Sequence, residues 1–72
     1  MVYKVEIEGM MCGMCENHVN ESIRKNFDVK KVKADRKKNL CTIKTDNELD
    51  LEKLEDVIKE TGYTYKGVTR EE

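Results

Sequence analysis

Twice along this chain the spacing of apolar residues switches from every second position to every third or fourth and back again. Few folds accommodate that order. Tyr3, Val5 and Ile7 alternate with Lys4, Glu6 and Glu8, the period-two mark of a strand with one buried face. From about Met14 to Asn26 the period becomes helical. Cys15, Val19, Ser22, Ile23 and Asn26 fall on one stripe, and Glu16, Asn17, Asn20, Glu21, Arg24 and Lys25 point away from it. Phe27, the only phenylalanine, is expected to plug the core as this helix ends.

Val29, Val32 and Ala34 then mark a second strand, interspersed with Lys30, Lys31 and Lys33; lysines on a short strand are a common guard of a sheet edge. Arg36-Lys37-Lys38-Asn39 reads as a hairpin turn, and residues 40–45 as a third strand with Cys41 and Ile43 on one side. The second helix has clear punctuation. Asp50 suits an N-cap, with Leu49 before it able to pack on Leu54 as a hydrophobic staple. Leu51, Leu54, Val57, Ile58 and Thr61 share one face, and Gly62 suits a left-handed residue just past the helix end. Tyr63, Tyr65 and Val68 form a last short strand, with Arg70-Glu71-Glu72 expected as a loose tail.

The order β-α-β-β-α-β predicts an α+β chain of the ferredoxin-like split pattern, a four-stranded antiparallel sheet with both helices on one face and right-handed crossovers. Seventy-two residues make a single domain over 1–72, with a core from about 2 to 68 and a tail from 69. That length is near the lower limit for a core without staples. With 38% apolar and 40% charged residues, a thin two-layer arrangement is what the composition supports. The chain contains no internal repeat, low-complexity run or linker.

The formal net charge of −1 excludes a general attraction to nucleic acid, which needs a basic excess. The charges are unevenly spread: eight basic and two acidic residues lie between Arg24 and Lys38, seven acidic and two basic between Asp46 and Glu60. These are two solvated faces or a polarised surface that orients the domain on a protein partner. No run approaches the ~20 apolar residues of a membrane span, so no membrane insertion is expected. The start of the chain is too charged for a secretory leader. A cytoplasmic, reducing setting is the default, where a CxxC is metal-binding or catalytic more often than a structural bridge. The odd count of three cysteines also argues against a disulfide framework.

Between the first strand and the first helix lies Gly9-Met10-Met11-Cys12-Gly13-Met14-Cys15. Two thiols in this arrangement suit a soft metal ion or a reversible disulfide. A ligand must be a thiolate, while a free thiol with a pKa of about 8.5 is mostly protonated at neutral pH. Cys15 falls near the unpaired N–H groups and positive dipole end of the helix, which favour the thiolate. None of Met11, Cys12 or Gly13 is an ordinary N-cap, so the Cys12 sulfur is the candidate acceptor for those N–H groups. Glu16 opposes the thiolate unless its charge is turned to solvent and screened, as expected here. Two thiolates without other strong ligands favour soft d¹⁰ ions, Cu(I) foremost, whereas Zn(II) normally takes four ligands. His18 is a stretched third. A thioredoxin-like redox pair is the competing use, but such folds place a cis-proline beside the disulfide and this chain has no proline. No second CxxC or CxxH exists to complete a structural zinc site.

The loop, together with Gly62-Tyr63 after the second helix, resembles the heavy-metal-associated domain over roughly Val2 to Val68. Within that family it is most similar to small bacterial copper chaperones and to N-terminal modules of copper-transporting P-type ATPases. The resemblance implies that Cys12 and Cys15 bind one Cu(I) per monomer and pass it to a partner's CxxC through shared three-coordinate intermediates. It also implies that Met10 is buried under the loop as a prop, and that Tyr63 sits near the metal and limits solvent access. Met11 stands where the family usually has Thr or Ser, which slightly enriches the soft-donor surroundings. The Asp that zinc-type members often place before the first Cys is absent, which weakens a Zn or Cd reading. Asp28-Val29 replaces a common Gly-Val.

The function expected is a soluble copper metallochaperone exchanging Cu(I) with a CxxC domain of a copper-transporting ATPase, and not an enzyme. Alternatives are the N-terminal regulatory module of such an ATPase, a carrier for Ag, Hg or Zn/Cd, and, from another class, a thiol-disulfide oxidoreductase. An initial Met1 without a trailing linker favours a free protein. Met11 and Met14 are expected as an apolar docking rim or, alternatively, as thioether ligands. His18 has a surface or supporting role, and Cys41 is a small buried hydrophobe. A monomer or a metal-bridged dimer is open.

Overall fold

The computed structural model describes residues 1–71. Six elements follow in the expected order: β1 (Val2–Glu8), α1 (Gly13–Asn26), β2 (Lys31–Asp35), β3 (Leu40–Lys44), α2 (Leu51–Glu60) and β4 (Thr64–Glu71). The strands pair in the order β2-β3-β1-β4, every neighbour antiparallel. This is the ferredoxin-like arrangement.

Alternation decides which face is covered. Tyr3, Val5 and Ile7 of β1, Val32 and Ala34 of β2, and Cys41 and Ile43 of β3 are all buried, and meet Val19 and Ile23 of α1 and Leu54 and Ile58 of α2. The other face is polar. There Lys31 lies opposite Lys44 and Lys33 opposite Thr42, a like-charge pairing that costs some sheet stability but keeps this face in water. Phe27 is half-buried against the core, with Lys53 Nζ 5.3 Å from its ring centroid. Val29 packs on the core from the segment before β2 rather than from within it.

β2 forms one edge of the sheet, and the sequence expectation of lysine protection is incomplete there. Its Ala34 N–H donates to Asn20 Oδ1 at 2.8 Å, and the next outward N–H, that of Arg36, donates to Glu16 Oε2 at 2.8 Å. Polar side chains of α1 thus satisfy backbone groups that no strand reaches.

The second helix starts as its punctuation predicts. Asp50 Oδ1 accepts the backbone N–H groups of Glu52 and Lys53 at 3.1 and 3.2 Å. Leu51, expected on the buried face, is instead 43% exposed. Leu49 packs against the core from just before the helix. At the other end Gly62 has φ +91°, and its N–H donates to the Lys59 carbonyl.

The expected tail is largely strand. β4 runs through Glu71, with Tyr3 opposite Arg70 and Val2 opposite Glu71. Side chains fasten it: Arg70 pairs with Glu48 at 3.1 Å and Glu71 with Lys4 at 3.2 Å. Charge in residues 70–71 suggested a solvated end, but the free edge of β1 supplies backbone partners whatever the side chains are. Glu72, the last residue of that expected tail, lies outside the described residues. A register shift between Glu6 and Ile7 places Gly67 opposite Glu6 and Tyr65 opposite Ile7. That bulge lets Tyr65 and Val68, of opposite parity, both pack on the core.

Replacing Asp50 by Ala removes both cap bonds. It should cost about 1 kcal/mol of stability, a fall in Tm of about 4–8 °C for a domain of this size, measurable by thermal denaturation.

Candidate metal centre

The cysteine loop is built by a change of direction at the end of β1. Gly9 has φ +98°, a conformation that side-chain-bearing residues rarely adopt, and the chain then drives Met10 into the core. Met10 is only 6% exposed, whereas Met11 is 83% and Met14 80% exposed. Cys12 occupies the N-cap position of α1 in extended conformation, and its carbonyl accepts the N–H groups of Cys15 at 3.0 Å and Glu16 at 3.3 Å.

Both site sulfurs are free, Cys12 exposed and Cys15 half-buried. They stand 3.8 Å apart, far outside the ~2.05 Å of a disulfide. Two metal–sulfur bonds of about 2.3 Å span that gap in a bent arrangement, and a linear one asks the sulfurs to part by less than 1 Å. The pair fits a single thiophilic ion as it stands. Among the described residues no group of three or more His, Cys, Asp or Glu converges to hold a metal.

The expectation that the Cys12 sulfur caps the helix is overturned: it accepts no cap hydrogen bond. The sulfur that gathers donors is that of Cys15. Its pKa is lowered from an ordinary value near 9 to about 7, first by the Tyr63 hydroxyl and then by the backbone N–H groups of Met11 and Cys12, with burial opposing. The Tyr63 hydroxyl is raised in return by its bond to Cys15. The exposed Cys12 sulfur instead meets that of Cys15.

Glu16 also departs from expectation. It is not turned to solvent: its side chain is 21% exposed and pairs with Arg36 at 3.2 Å. The charge that would oppose a neighbouring thiolate is neutralised by a guanidinium instead of by water.

Tyr63 joins the parts of the site. Its ring would contact a Cβ at Gly9 at 3.6 Å, its hydroxyl serves Cys15, and the His18 ring meets it edge-on at 6.1 Å with an interplanar angle of 76°. His18 is exposed and turned to this aromatic contact rather than to the sulfurs. Cys41 is fully buried in β3, its thiol pushed up to about 12 by burial, which leaves it inert. The Glu16 and Asn20 contacts to β2 escaped the sequence reading. Their one signal is two polar residues four apart on the flank of a helix, which looks like ordinary solvation until the strand is in place.

Residues 4–64 match the family profile described as the heavy-metal-associated domain. The chain belongs to that family. Among solved structures it is similar to the yeast copper transporter domain Ccc2a, determined in apo and Cu(I)-loaded states, with a TM-score of 0.83 and 24% identity over 99% of this chain and 97% of that one. The CopZ metallochaperone gives a TM-score of 0.80 and 22% identity, covering 92% and 100%. The N-terminal domain of ZntA in its apo form gives 0.77 and 21%, covering 99% and 92%. At these identities the likeness is one of fold. No curated protein matches the sequence.

Replacement of Tyr63 by Phe removes the first donor to Cys15. The pH midpoint for alkylation of Cys15, followed by mass mapping of the labelled peptide, should lie near 7 in the native protein and move upward in the variant. An unchanged midpoint would show that the loop amides alone set it.

Proposed function

We propose that this domain is a copper metallochaperone: it binds one Cu(I) through Cys12 and Cys15 and exchanges it with a CxxC domain of a copper-transporting P-type ATPase. One observation carries the reading. Two thiols sit 3.8 Å apart at the surface, and among the described residues no third His, Cys, Asp or Glu side chain joins them. A two-sulfur donor set suits a soft d¹⁰ ion and falls two ligands short of the usual zinc site. It also leaves the ion open on one side, where an incoming thiolate can add before an outgoing one leaves. Exchange by ligand substitution then needs no naked ion.

Several features support that use. The lowered pKa of Cys15 supplies a thiolate at neutral pH without a dedicated base. Met11 and Met14, each with an apolar side chain in water beside the loop, provide a docking rim that a partner would cover. Burial of such exposed thioethers returns about 1.5–3 kcal/mol for a fully covered side chain, enough to orient an encounter and too little to make it permanent. Met10 beneath the loop, with Tyr63 and His18 beside it, supports the ligands without joining them. No helix among the described residues is long and apolar enough to cross a membrane; the carrier proposed works in the cytoplasm and is not an enzyme. A monomer that docks loop to loop accounts for the site; the same exposed pair would also let two copies share an ion.

Competition titration of the reduced protein with a Cu(I)-specific chelator should show one Cu(I) per monomer and only weak Zn(II) binding. Cys12→Ser or Cys15→Ser should abolish Cu(I) retention, and Cys41→Ser should leave it unchanged. Retention by the Cys12→Ser, Cys15→Ser double variant would refute the proposal, and catalytic turnover in an insulin-reduction assay would favour the oxidoreductase reading.

A further inference from the structure

Glu16 follows Cys15 directly and reaches across to the β2–β3 turn. Its Oε2 accepts the backbone N–H of Arg36 at 2.8 Å and its Oε1 accepts from Arg36 Nη1 at 3.2 Å. One turn further along α1, Asn20 Oδ1 accepts the Ala34 N–H at 2.8 Å. Four helical residues advance about 6 Å and two strand residues about 6.6 Å. The two side chains therefore meet the N–H of Ala34 in β2 and that of Arg36 just past its end, much as a neighbouring strand would.

This short ladder has a direction. The next helical position in the series is Arg24, a residue without an acceptor, so both rungs lie in the part of α1 that leads out of the cysteine loop. A guard against edge-to-edge association would be as useful at the other end of β2, where lysines serve instead. The rung nearest the loop is also the charged, two-pronged one, and hydrogen bonds to ionised groups are roughly twice as strong as neutral ones. Arg36 Nη1 lies 3.8 Å from where a Cβ would stand on Gly13, so the guanidinium flanks the loop between the two cysteines.

We propose that Glu16 is a positioning residue for the metal pair. Its grip on Arg36 fixes the first turn of α1 against the β2–β3 turn, and with it the place of the Cys15 sulfur relative to Cys12. A ligand pair held at a set spacing loses less freedom on taking up an ion, so the clamp raises affinity and slows release. Asn20 does the complementary work for the fold: it satisfies the edge one turn away and leaves the sulfurs alone. This inference rests on the assignment of Cys12 and Cys15 as metal ligands.

The test compares Glu16→Ala, Glu16→Gln and Asn20→Ala with the native protein. It uses Cu(I) competition titration, thermal denaturation of the apo form and amide hydrogen exchange over residues 13–18. Glu16→Ala should weaken Cu(I) binding by about tenfold, the lower range for residues that orient a ligand, and accelerate exchange in the first turn of α1. Glu16→Gln, which keeps an acceptor for the Arg36 N–H, should recover part of both. Asn20→Ala should lower the Tm without changing Cu(I) affinity. Native affinity in Glu16→Ala, or an equal loss in Asn20→Ala, overturns the clamp while leaving the ligand assignment intact. Failure of the native protein to bind Cu(I) at all overturns the metallochaperone reading and, with it, the role given to Glu16 in metal retention.

Discussion

Met10 and Met11 are the same residue type in adjacent positions, one in the core and the other almost wholly in water. That reversal is the constraint on which the site depends. Full burial of a methionine side chain contributes about 1.5–3 kcal/mol, and here it is spent at the point where β1 must give way to α1. With Met10 pinned and Gly9 in its left-handed conformation, the loop cannot collapse onto the sheet. Cys12 and Cys15 are left outside and Cys15 within reach of backbone N–H groups. A free loop of the same composition would bury its own sulfurs or scatter them.

The balance of forces around Cys15 favours a site that is ionised yet accessible. Tyr63 and two loop amides stabilise the thiolate, and burial works against it only weakly. Cys41 makes the contrast plain: the same functional group, closed in by Val, Ile and Ala side chains, becomes a stronger base and loses its chemistry. The Glu16 carboxylate beside Cys15 is paired with the Arg36 guanidinium. Ionisation makes the Cys15 sulfur a ligand, and exposure leaves it open to exchange.

Much of the fold was legible because its signals are local. Period-two runs at Tyr3–Ile7 and Leu40–Lys44, the Asp50 cap and Gly62 each act through neighbouring residues, and each appears in the structure as expected. Periodicity places Leu51 on the buried face, yet it is 43% exposed while Leu49 packs on the core. Charge marks Arg70 and Glu71 as a tail, yet β1 has an edge that pairs with them. Polarity sends Glu16 to solvent, yet Arg36, twenty residues away, pairs with it across the helix–strand gap. In the last two a distant segment outcompeted a local preference. The change of parity between Tyr65 and Val68 becomes a bulge only through the pairing with β1.

The chain by itself determined the order of elements, the faces they bury and the presence of two closely spaced thiols at a helix entrance, because these follow from residue spacing and short-range backbone chemistry. Tertiary structure decided which sulfur is activated, what neutralises Glu16 and how α1 is tied to the sheet edge. Those outcomes depend on Tyr63, Arg36, Ala34 and Asn20 arriving from separate elements to within hydrogen-bonding distance of their partners, and hydrogen bonds and ion pairs are decided by separations of a few ångström that residue order does not encode locally.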